Sequence, residues 1–502
     1  MIPGALSWGT IALVAGGSWA APGAAAIFII LFDVYWLLKT VYLSLHLRAT
    51  FARMRQNMKV NWLEKLDGLP PPISHLQPHW RSIYHLVILP IAGEPYEVVR
   101  ESMTALAGVN YPKEKIIFVL AREERLPESS AAAEKIQKEF GASFGEFLST
   151  AHPDGLPGEM RGKGSNEAWA ARQAQERIID AKKIPYERVL VSVFDADTQV
   201  APEYFGILTH AFLTAEHPER SSYQPIPLFT NNIFQAPAMA RVIAFSSSFW
   251  HMIQQSRPER LTTFSSHSMP FKALAEVGFW NRDIVSEDSQ IFWQCLIHYD
   301  GDWRTVPLDY PVSMDANATP KFWATMRNLY KQQRRWAWGG CENIPYFLEG
   351  FRKNPRIPRR TKLYWAFHYI EGFHSWATNA LIIFSLGWLP VLIGGAHFNF
   401  SVLAYNLPRI TRGVMNLSML GIVSSAILGM ILLPPRPEWF RRRHYFLYFI
   451  QWVLMPVQLI VFGSFPALDA QTRAILGGRR RLGFWMTPKF RTHPEPGKGD
   501  VR

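Results

Sequence analysis

Cysteine is nearly absent: Cys295 and Cys341 are the only two in 502 residues. Two thiols build neither a disulfide framework nor a zinc cluster, so a small secreted scaffold and a Cys-ligated metal fold are excluded. They fit ordinary core thiols in a reducing compartment. Acidic residues are also scarce, 40 against 53 basic ones, for a formal charge of +13. That excess raises the question of nucleic acid, but no recognised nucleic-acid motif accompanies it, and no nucleic-acid partner is expected. Internal repeats and low-complexity tracts are missing too. The basic residues instead flank apolar runs: Arg48, Arg53 and Arg55 after one, Arg441-Arg442-Arg443 between two, and Arg479-Arg480-Arg481 after the last. This placement matches the positive-inside bias and anionic headgroups, so the partner implied is a lipid bilayer.

Apolar and aromatic residues are plentiful, at 48% and 14% of the chain, with 19 Trp and 33 Phe. The length exceeds the usual single-domain ceiling, so at least two units are expected. Ala25 to Leu45 is long enough to cross a bilayer, with Asp33 and Lys39 as polar interruptions. Leu6 to Ala20 is shorter and Gly-rich, a first span or an interfacial segment. No basic region precedes it as in a cleavable signal. Phe51 to Leu66 spaces apolar among basic residues, as an interfacial helix would. Apolar segments return at Ala377 to Ile393, Val414 to Leu433 and Tyr445 to Phe465. Three full spans from a cytosolic centre would leave the basic tail, with Phe484-Trp485-Met486-Thr487-Pro488-Lys489, on the wrong side for the positive-inside bias. Either the last segment is broken around Pro456, or a stretch near 397 to 407 also enters.

Between these ends, strands and helices alternate. Tyr84 to Leu89, Lys115 to Leu120 and Arg188 to Phe194 are short, nearly continuous apolar runs that suit strands buried on both faces of a mainly parallel sheet. Helical patterns at Tyr96 to Ala107 and Asn166 to Ala181 separate them. The alternation predicts an α/β nucleotide-binding domain, with ligands beyond the carboxyl ends of the strands. Expected boundaries are 1–48 for an N-terminal membrane region, 49–360 for a cytosolic catalytic domain with interfacial helices, 361–470 for a C-terminal membrane region, and 471–502 for a basic cytosolic tail.

Three strings in that centre carry chemistry: Phe194-Asp195-Ala196-Asp197, Ser286-Glu287-Asp288 and Gln332-Gln333-Arg334-Arg335-Trp336. Two carboxylates one residue apart at a strand end can share a divalent cation. Mg²⁺ or Mn²⁺ suits such all-oxygen ligands. An Asp-x-Asp is also a common turn or helix cap. Adjacent acids such as Glu287 and Asp288 raise each other's pKa toward the range a general base needs, and they also suit a helix N-terminus. Arg335 offers a forked donor to phosphate and Trp336 a face for a sugar ring. The alternative for that string is a membrane-surface helix anchored by Trp323, Trp336 and Trp338.

In this order, the strings resemble the processive family 2 membrane glycosyltransferases: cellulose, chitin, hyaluronan and mannan synthases. The resemblance covers roughly residues 80 to 345, with the apolar flanks extending it. It implies a GT-A-type domain between membrane helices, with a metal at Asp195 and Asp197 and Asp288 as base beside Glu287. Gln332 and Trp336 would face the acceptor, and Arg335 the diphosphate. Pro90-Ile91-Ala92-Gly93-Glu94 resembles the family's opening strand-turn, which makes Glu94 a donor contact. Arg161-Gly162-Lys163-Gly164-Ser165-Asn166 resembles its Lys-bearing loop, which brings Lys163 to the diphosphate, although any Gly-rich loop before a helix reads this way. The family's Asp-Asp-Gly is replaced by Ala121-Arg122-Glu123-Glu124, so Glu123 or Glu124 takes the place of the nucleobase acid. UDP is the commoner donor there and GDP the alternative. Ser265 to Phe271 would line the acceptor pocket, with His267 as either a sugar contact or a structural imidazole.

The expected activity is inverting, metal-dependent transfer from a nucleotide sugar to a growing polysaccharide, at the plasma (inner) membrane by a multi-pass protein whose catalytic domain is cytosolic. Two rivals stand beside it. One is non-processive transfer of one sugar to a polyprenyl phosphate or other lipid acceptor. The other is an inactive homologue serving as a membrane scaffold, supported only by the altered Asp-Asp-Gly. A transporter without catalysis is opposed by the α/β centre.

Overall fold

The apolar runs of the centre become adjacent strands. The computed structural model describes residues 2–70, 78–478, 481–483 and 485–490. Arg479, Arg480, Phe484 and the tail beyond residue 490 therefore lie outside the described residues. The strands are β1 (Tyr84–Ile91), β2 (Ile116–Glu123), β3 (Glu146–His152), β4 (Val189–Val193), β5 (Gln199–Val200), β6 (Ser221–Phe229), β7 (Ser268–Pro270) and β8 (Arg304–Met314). They form one eight-stranded sheet in the order β3-β2-β1-β4-β7-β6-β8-β5.

The half from β3 to β4 is parallel, as the apolar runs predict. The other half is mixed: β7 runs antiparallel to β4 and β6, β8 parallel to β6, and β5 antiparallel to β8. A mainly parallel sheet is thus a correct reading of one half only. β7 and β5 are three and two residues long, too short to carry a hydrophobic period.

The helices are, in chain order, α1 (Ile2–Ala20), α2 (Pro22–Asn57), α3 (Trp62–Asp67), α4 (Tyr96–Ala107), α5 (Pro127–Phe140), α6 (Lys163–Ala174), α7 (Tyr204–Thr214), α8 (Ala238–Gln255), α9 (Phe271–Glu276), α10 (Glu287–His298), α11 (Phe322–Lys353) and α12 (Arg359–Phe384). They continue as α13 (Leu389–Ile393), α14 (Gly395–Asn399), α15 (Val402–Ile431), α16 (Arg442–Ile450), α17 (Met455–Leu459) and α18 (Phe465–Leu476).

Successive β1 side chains point to opposite faces of the sheet. Leu86 and Ile88 join Ala168, Phe292, Trp293, Phe347 and Trp365 from α6, α10, α11 and α12. Val87 and Leu89 join Trp62, Met103, Ile136 and Phe205 from α3, α4, α5 and α7. Each such side chain contributes about 1.5–3 kcal/mol on full burial, so both faces must be covered.

The runs Pro22–Asn57, Val402–Ile431 and Arg442–Leu476 are each long and apolar enough to cross a bilayer. Arg359–Phe384 with Leu386–Ile393 makes a fourth if its 46° bend is one broken span. The segment around Pro456 is one irregular helical run, with 3-10 and π turns between Gln451 and Ser464. Phe51 to Leu66 does not form the single interfacial helix its pattern predicts. Its first part prolongs α2, the chain turns at residues 58–61, and α3 follows with Trp62 and Leu66 buried against the sheet domain. Asn61 caps α3 by accepting from the Glu64 amide, which is why the helix restarts there. Two ion pairs tie the helical part to the sheet domain: Arg53 Nε to Asp309 Oδ2 at 2.6 Å, and Arg334 Nη1 to Asp469 Oδ2 at 2.8 Å.

Candidate active site

β4 pairs in parallel with β1, and both end at the same edge. Phe194 follows β4, and the Thr198 amide donates to the Asp195 carbonyl at 2.9 Å, turning the chain so that both aspartates stay beside the strand end. Their surroundings differ. Asp195 opens to a cavity, and its carboxylate receives Lys163 Nζ at 2.7 Å. Asp197 is fully buried, and its Oδ2 accepts from Lys489 Nζ at 2.6 Å and from the Asp315 amide at 2.8 Å. Asp197 Oδ1 has no hydrogen-bond partner among the described residues.

Lys163 opens α6 and is the shared cation of the site. Its ammonium also lies 3.2 Å from Glu167 and 3.8 Å from Glu287. Burial opposes its charge, but the surrounding acids carry its pKa well above the ordinary lysine value. Burial lifts the acids in turn. It raises Glu167 to about 7 and Glu287 well above the usual carboxylate range, with Lys163 pulling both back. Asp195 goes the other way: burial would raise it, but Lys163 and Lys489 hold it below the ordinary range. Gly164 lets α6 come this close, because a Cβ there would stand 2.9 Å from the Glu287 Cβ.

Glu287 and Asp288 begin α10, and α11 holds that start in place. Glu342 on α11 accepts from the Val285 and Ser286 amides and from Ser286 Oγ, the last at 2.7 Å. Asn343 donates to Ser289 Oγ at 2.9 Å. Asp288 stays partly open to the cavity, with Oδ1 accepting from the Ser289 amide at 2.7 Å. Burial raises its pKa, as does Asp195, while Lys163 and Arg335 oppose.

Two turns earlier on α11, Gln332, Arg335 and Trp336 share one face, since residues three and four apart are neighbours on a helix. All three line the cavity. Trp336 packs near Phe229, ring centres 6.1 Å apart, and Gln332 accepts from Asn317. The membrane-surface alternative survives only for Trp323, which is 80% exposed, whereas Trp338 is buried.

The chain belongs to glycosyl transferase family group 2. That family's model matches residues 190–463, more than half of the sequence and inclusive of all three strings. The protein is a transferase. No curated protein matches the chain. Solved structures with a broadly similar course include a mannosyltransferase from Pyrobaculum calidifontis in complex with GDP-Man and Mn²⁺, 14% identical at a TM-score of 0.41. It covers 77% of this chain and 99% of its own. S. aureus TarS 1–349 is 10% identical at 0.36, over 79% and 92%. Its UDP-GlcNAc complex is 12% identical at 0.32, over 70% and 93%. Likeness at this level assigns no substrate.

The other expected donor residues of this family 2 glycosyltransferase sit around the same cavity. Glu94 lines it just past β1, with its carboxylate accepting from the Ala92 amide at 2.7 Å, and burial raises its pKa. Of the two glutamates after β2, Glu123 is buried and lines the cavity, 3.4 Å from Arg125 and 3.6 Å from His152, while Glu124 is exposed. His267 lies apart. Its Nδ1 bonds the Phe264 carbonyl at 3.0 Å, and its Nε2 accepts from the Trp280 indole at 3.3 Å. Burial lowers its pKa to about 4. With both nitrogens engaged, this neutral ring is absent from the cavity lining, so its placement is that of the structural alternative.

Sequence reasoning missed Asp315, Glu167, Glu342 and the placement of Lys489. Asp315 directly follows β8, a strand whose mixed apolar and polar pattern hides it. Lys489 was placed in a separate tail, yet residues 485–490 fold back onto the sheet domain. Met486, Thr487 and Lys489 line the cavity, and Asn232 donates to the Phe490 carbonyl.

The carboxylates suit a hard cation. Mg²⁺ is commonly held by one or two carboxylates plus substrate phosphates and water. Asp195 and Asp197 supply that pair, and the unpartnered Asp197 Oδ1 is a buried acceptor awaiting a ligand. Among the described residues no group of three or more metal-ligating side chains occurs, so the remaining positions would fall to diphosphate and water.

Proposed function

We propose that this glycosyltransferase spans a membrane and adds sugars, with inversion, from a nucleotide-sugar donor to a growing polysaccharide that leaves between its own apolar helices. One observation carries this reading. A single cavity of about 1290 Å³ is lined by Asp195, Asp288 and Trp336 at one end and by Trp36, Met415 and Gln458 of the apolar helices at the other. A one-sugar transfer needs only the first end.

In this reading Glu94 and Glu123 hold the nucleoside, UDP before GDP. Asp195 and Asp197 hold Mg²⁺ or Mn²⁺, which when bound neutralises the diphosphate leaving group. Lys163 and Arg335 supply fixed positive charge to the same phosphates. Asp288 removes the proton from the acceptor hydroxyl. Its raised pKa makes it a stronger base than a solvated aspartate, and the Ser289 amide keeps it aimed. Burial and the neighbouring Asp288 raise the pKa of Glu287, which favours its neutral form and limits repulsion between the two acids. Trp336 stacks on the acceptor ring and Gln332 binds its hydroxyls. The sheet domain faces the cytosol, where Arg441 to Arg443 would also lie under the positive-inside bias, in the plasma (inner) membrane. Residues 1–48 and 361–470 form the membrane regions in this reading.

The test is to incubate the purified protein with a panel of labelled nucleotide sugars, with and without Mn²⁺, and to size the product. Metal-dependent chains of many sugars are expected. Products one sugar long would overturn the polysaccharide reading and leave the transferase.

A further inference from the structure

Beyond Trp336 the cavity passes two arginines that the chemistry above does not use. Arg257 follows α8 and Arg260 lies one turn on, and both line the cavity. Arg257 is only 8% exposed. Neither Nε has a hydrogen-bond partner among the described residues. Burial and the neighbouring Arg260 both disfavour the charge on Arg257. The groups facing them compensate only in part. Arg260 Nη2 donates to His368 Nε2 at 3.4 Å. Glu259, more than half exposed, stands 3.9 Å from Arg260 Nε. Glu371, the acid contributed by α12, is committed to Lys39 Nζ at 2.9 Å and to Ser375 Oγ at 2.8 Å.

A buried guanidinium, Arg257, beside the one-third-exposed Arg260, each with an unmet Nε donor, is unfavourable unless an anion joins them. Guanidinium forks match carboxylate and phosphate oxygens. We propose that Arg257 and Arg260 form an anion subsite on the acceptor path, taking a carboxylate or phosphate borne by the saccharide itself, so that the polymer built here is acidic. This rests on the polysaccharide reading.

Three observations favour a saccharide over a membrane headgroup. The arginines line the interior cavity that also holds Asp288 and Trp336. Trp36, Trp250 and Trp365 line it with them and offer stacking faces for sugar rings. And the chain itself sets the distance: Ser265, which lines the cavity with Asp195, is five residues past Arg260, at most about 18 Å of extended chain. An anion held there belongs to a sugar within a short reach of the transfer point.

The test is direct binding to the purified full chain in nanodiscs of neutral lipid. The probes are fluorescent oligosaccharides of hexuronic acid, phosphorylated hexose oligosaccharides and neutral hexose oligosaccharides, with inorganic phosphate and anionic-lipid nanodiscs as competitors. An acidic oligosaccharide should bind about tenfold or more tightly than the neutral one, the scale of a charge-assisted hydrogen bond. R257Q and R260Q should erase that preference, while R257K, which keeps the charge and guards against a folding defect, should retain part of it. Equal binding of acidic and neutral probes, or a preference that survives both Gln variants, overturns the proposal. So does displacement by phosphate at equal affinity, which leaves an adventitious ion only, or by anionic lipid, which makes this a headgroup site. Product sizing on the same preparation separates the two readings. Arginine-dependent binding with one-sugar products keeps the subsite and removes the polymer, and long products without acidic preference do the reverse.

Discussion

At one end of the cavity four acids, Glu167, Asp195, Glu287 and Asp288, crowd around the ammonium of Lys163. At the other, Arg257 and Arg260 line the wall with tryptophans, and Glu371 of α12 is already paired with Lys39. Both ends bury charge, but in opposite sense. Acids in excess of bases suit a cation and a proton-accepting group, while bases in excess of acids suit an anion that arrives and leaves. The first end is held by α11 through Glu342 and Asn343, with short hydrogen bonds to the start of α10. At the second, the Nε atoms of Arg257 and Arg260 have no hydrogen-bond partner among the described residues, which suits the proposed passage of a chain.

The contrast is sharpest at Asp288. Asp288→Asn should lower turnover by roughly 10²–10⁴-fold, the usual contribution of a general base, with nucleotide affinity nearly unchanged. Single-turnover kinetics beside nucleotide titration measure both, and a loss of only a few-fold would remove Asp288 as base.

Lys163→Gln tests whether the acid cluster depends on its central cation. Removing one partner of a buried charge group is worth about 3–5 kcal/mol of stability. The ion pairs here are partly open to the cavity, so the lower part of that range is expected in thermal unfolding. The pH profile carries the sign. The base must be deprotonated, its pKa is raised by burial, and Lys163 pulls it down. Loss of Lys163 should therefore move the acid limb of the rate profile to higher pH. A limb that stays put or moves down would break the link between the two residues.

Asp197→Ala should weaken nucleotide binding on the order of a hundredfold in Mn²⁺ and little in EDTA, reflecting the several kcal/mol that a bound cation contributes. Calorimetry with and without metal measures the difference, and equal affinities would take Asp197 out of the metal site. The smallest effect is expected at Trp336. Trp336→Ala should remove about 1–3 kcal/mol of acceptor contact, seen as shorter products with the nucleotide KM unchanged. Unchanged product length would separate Trp336 from the acceptor path.

Much of the first end was legible in the sequence because its determinants are local. A strand that ends before an Asp-x-Asp, acids at a helix start, and Gln332, Arg335 and Trp336 at spacings of three and four are patterns within a dozen residues of chain, and hydrophobic runs announce β1, β2 and β4 in the same way. The mixed half escaped because β5 and β7, at two and three residues, are too short to repeat a hydrophobic alternation. So did everything that depends on which distant groups share a charge. Nothing in the composition tells that Lys163 serves acids at positions 167, 195 and 287, that Lys489 reaches Asp197 across 292 residues, or that Trp280 and Phe264 occupy both nitrogens of His267. The first two are long-range electrostatics in a low-dielectric interior, where the partner is chosen by packing rather than by neighbourhood in the chain. The sequence by itself determined the chemical types, the strand ends that carry them and the apolar runs beside them. Tertiary structure alone decided the rest: it joined the site around Asp195 and Asp288 and the helix-lined end into one cavity and left the Nε donors of Arg257 and Arg260, which line it, without a hydrogen-bond partner among the described residues, because burial and pairing are properties of the folded surface and not of any stretch of residues.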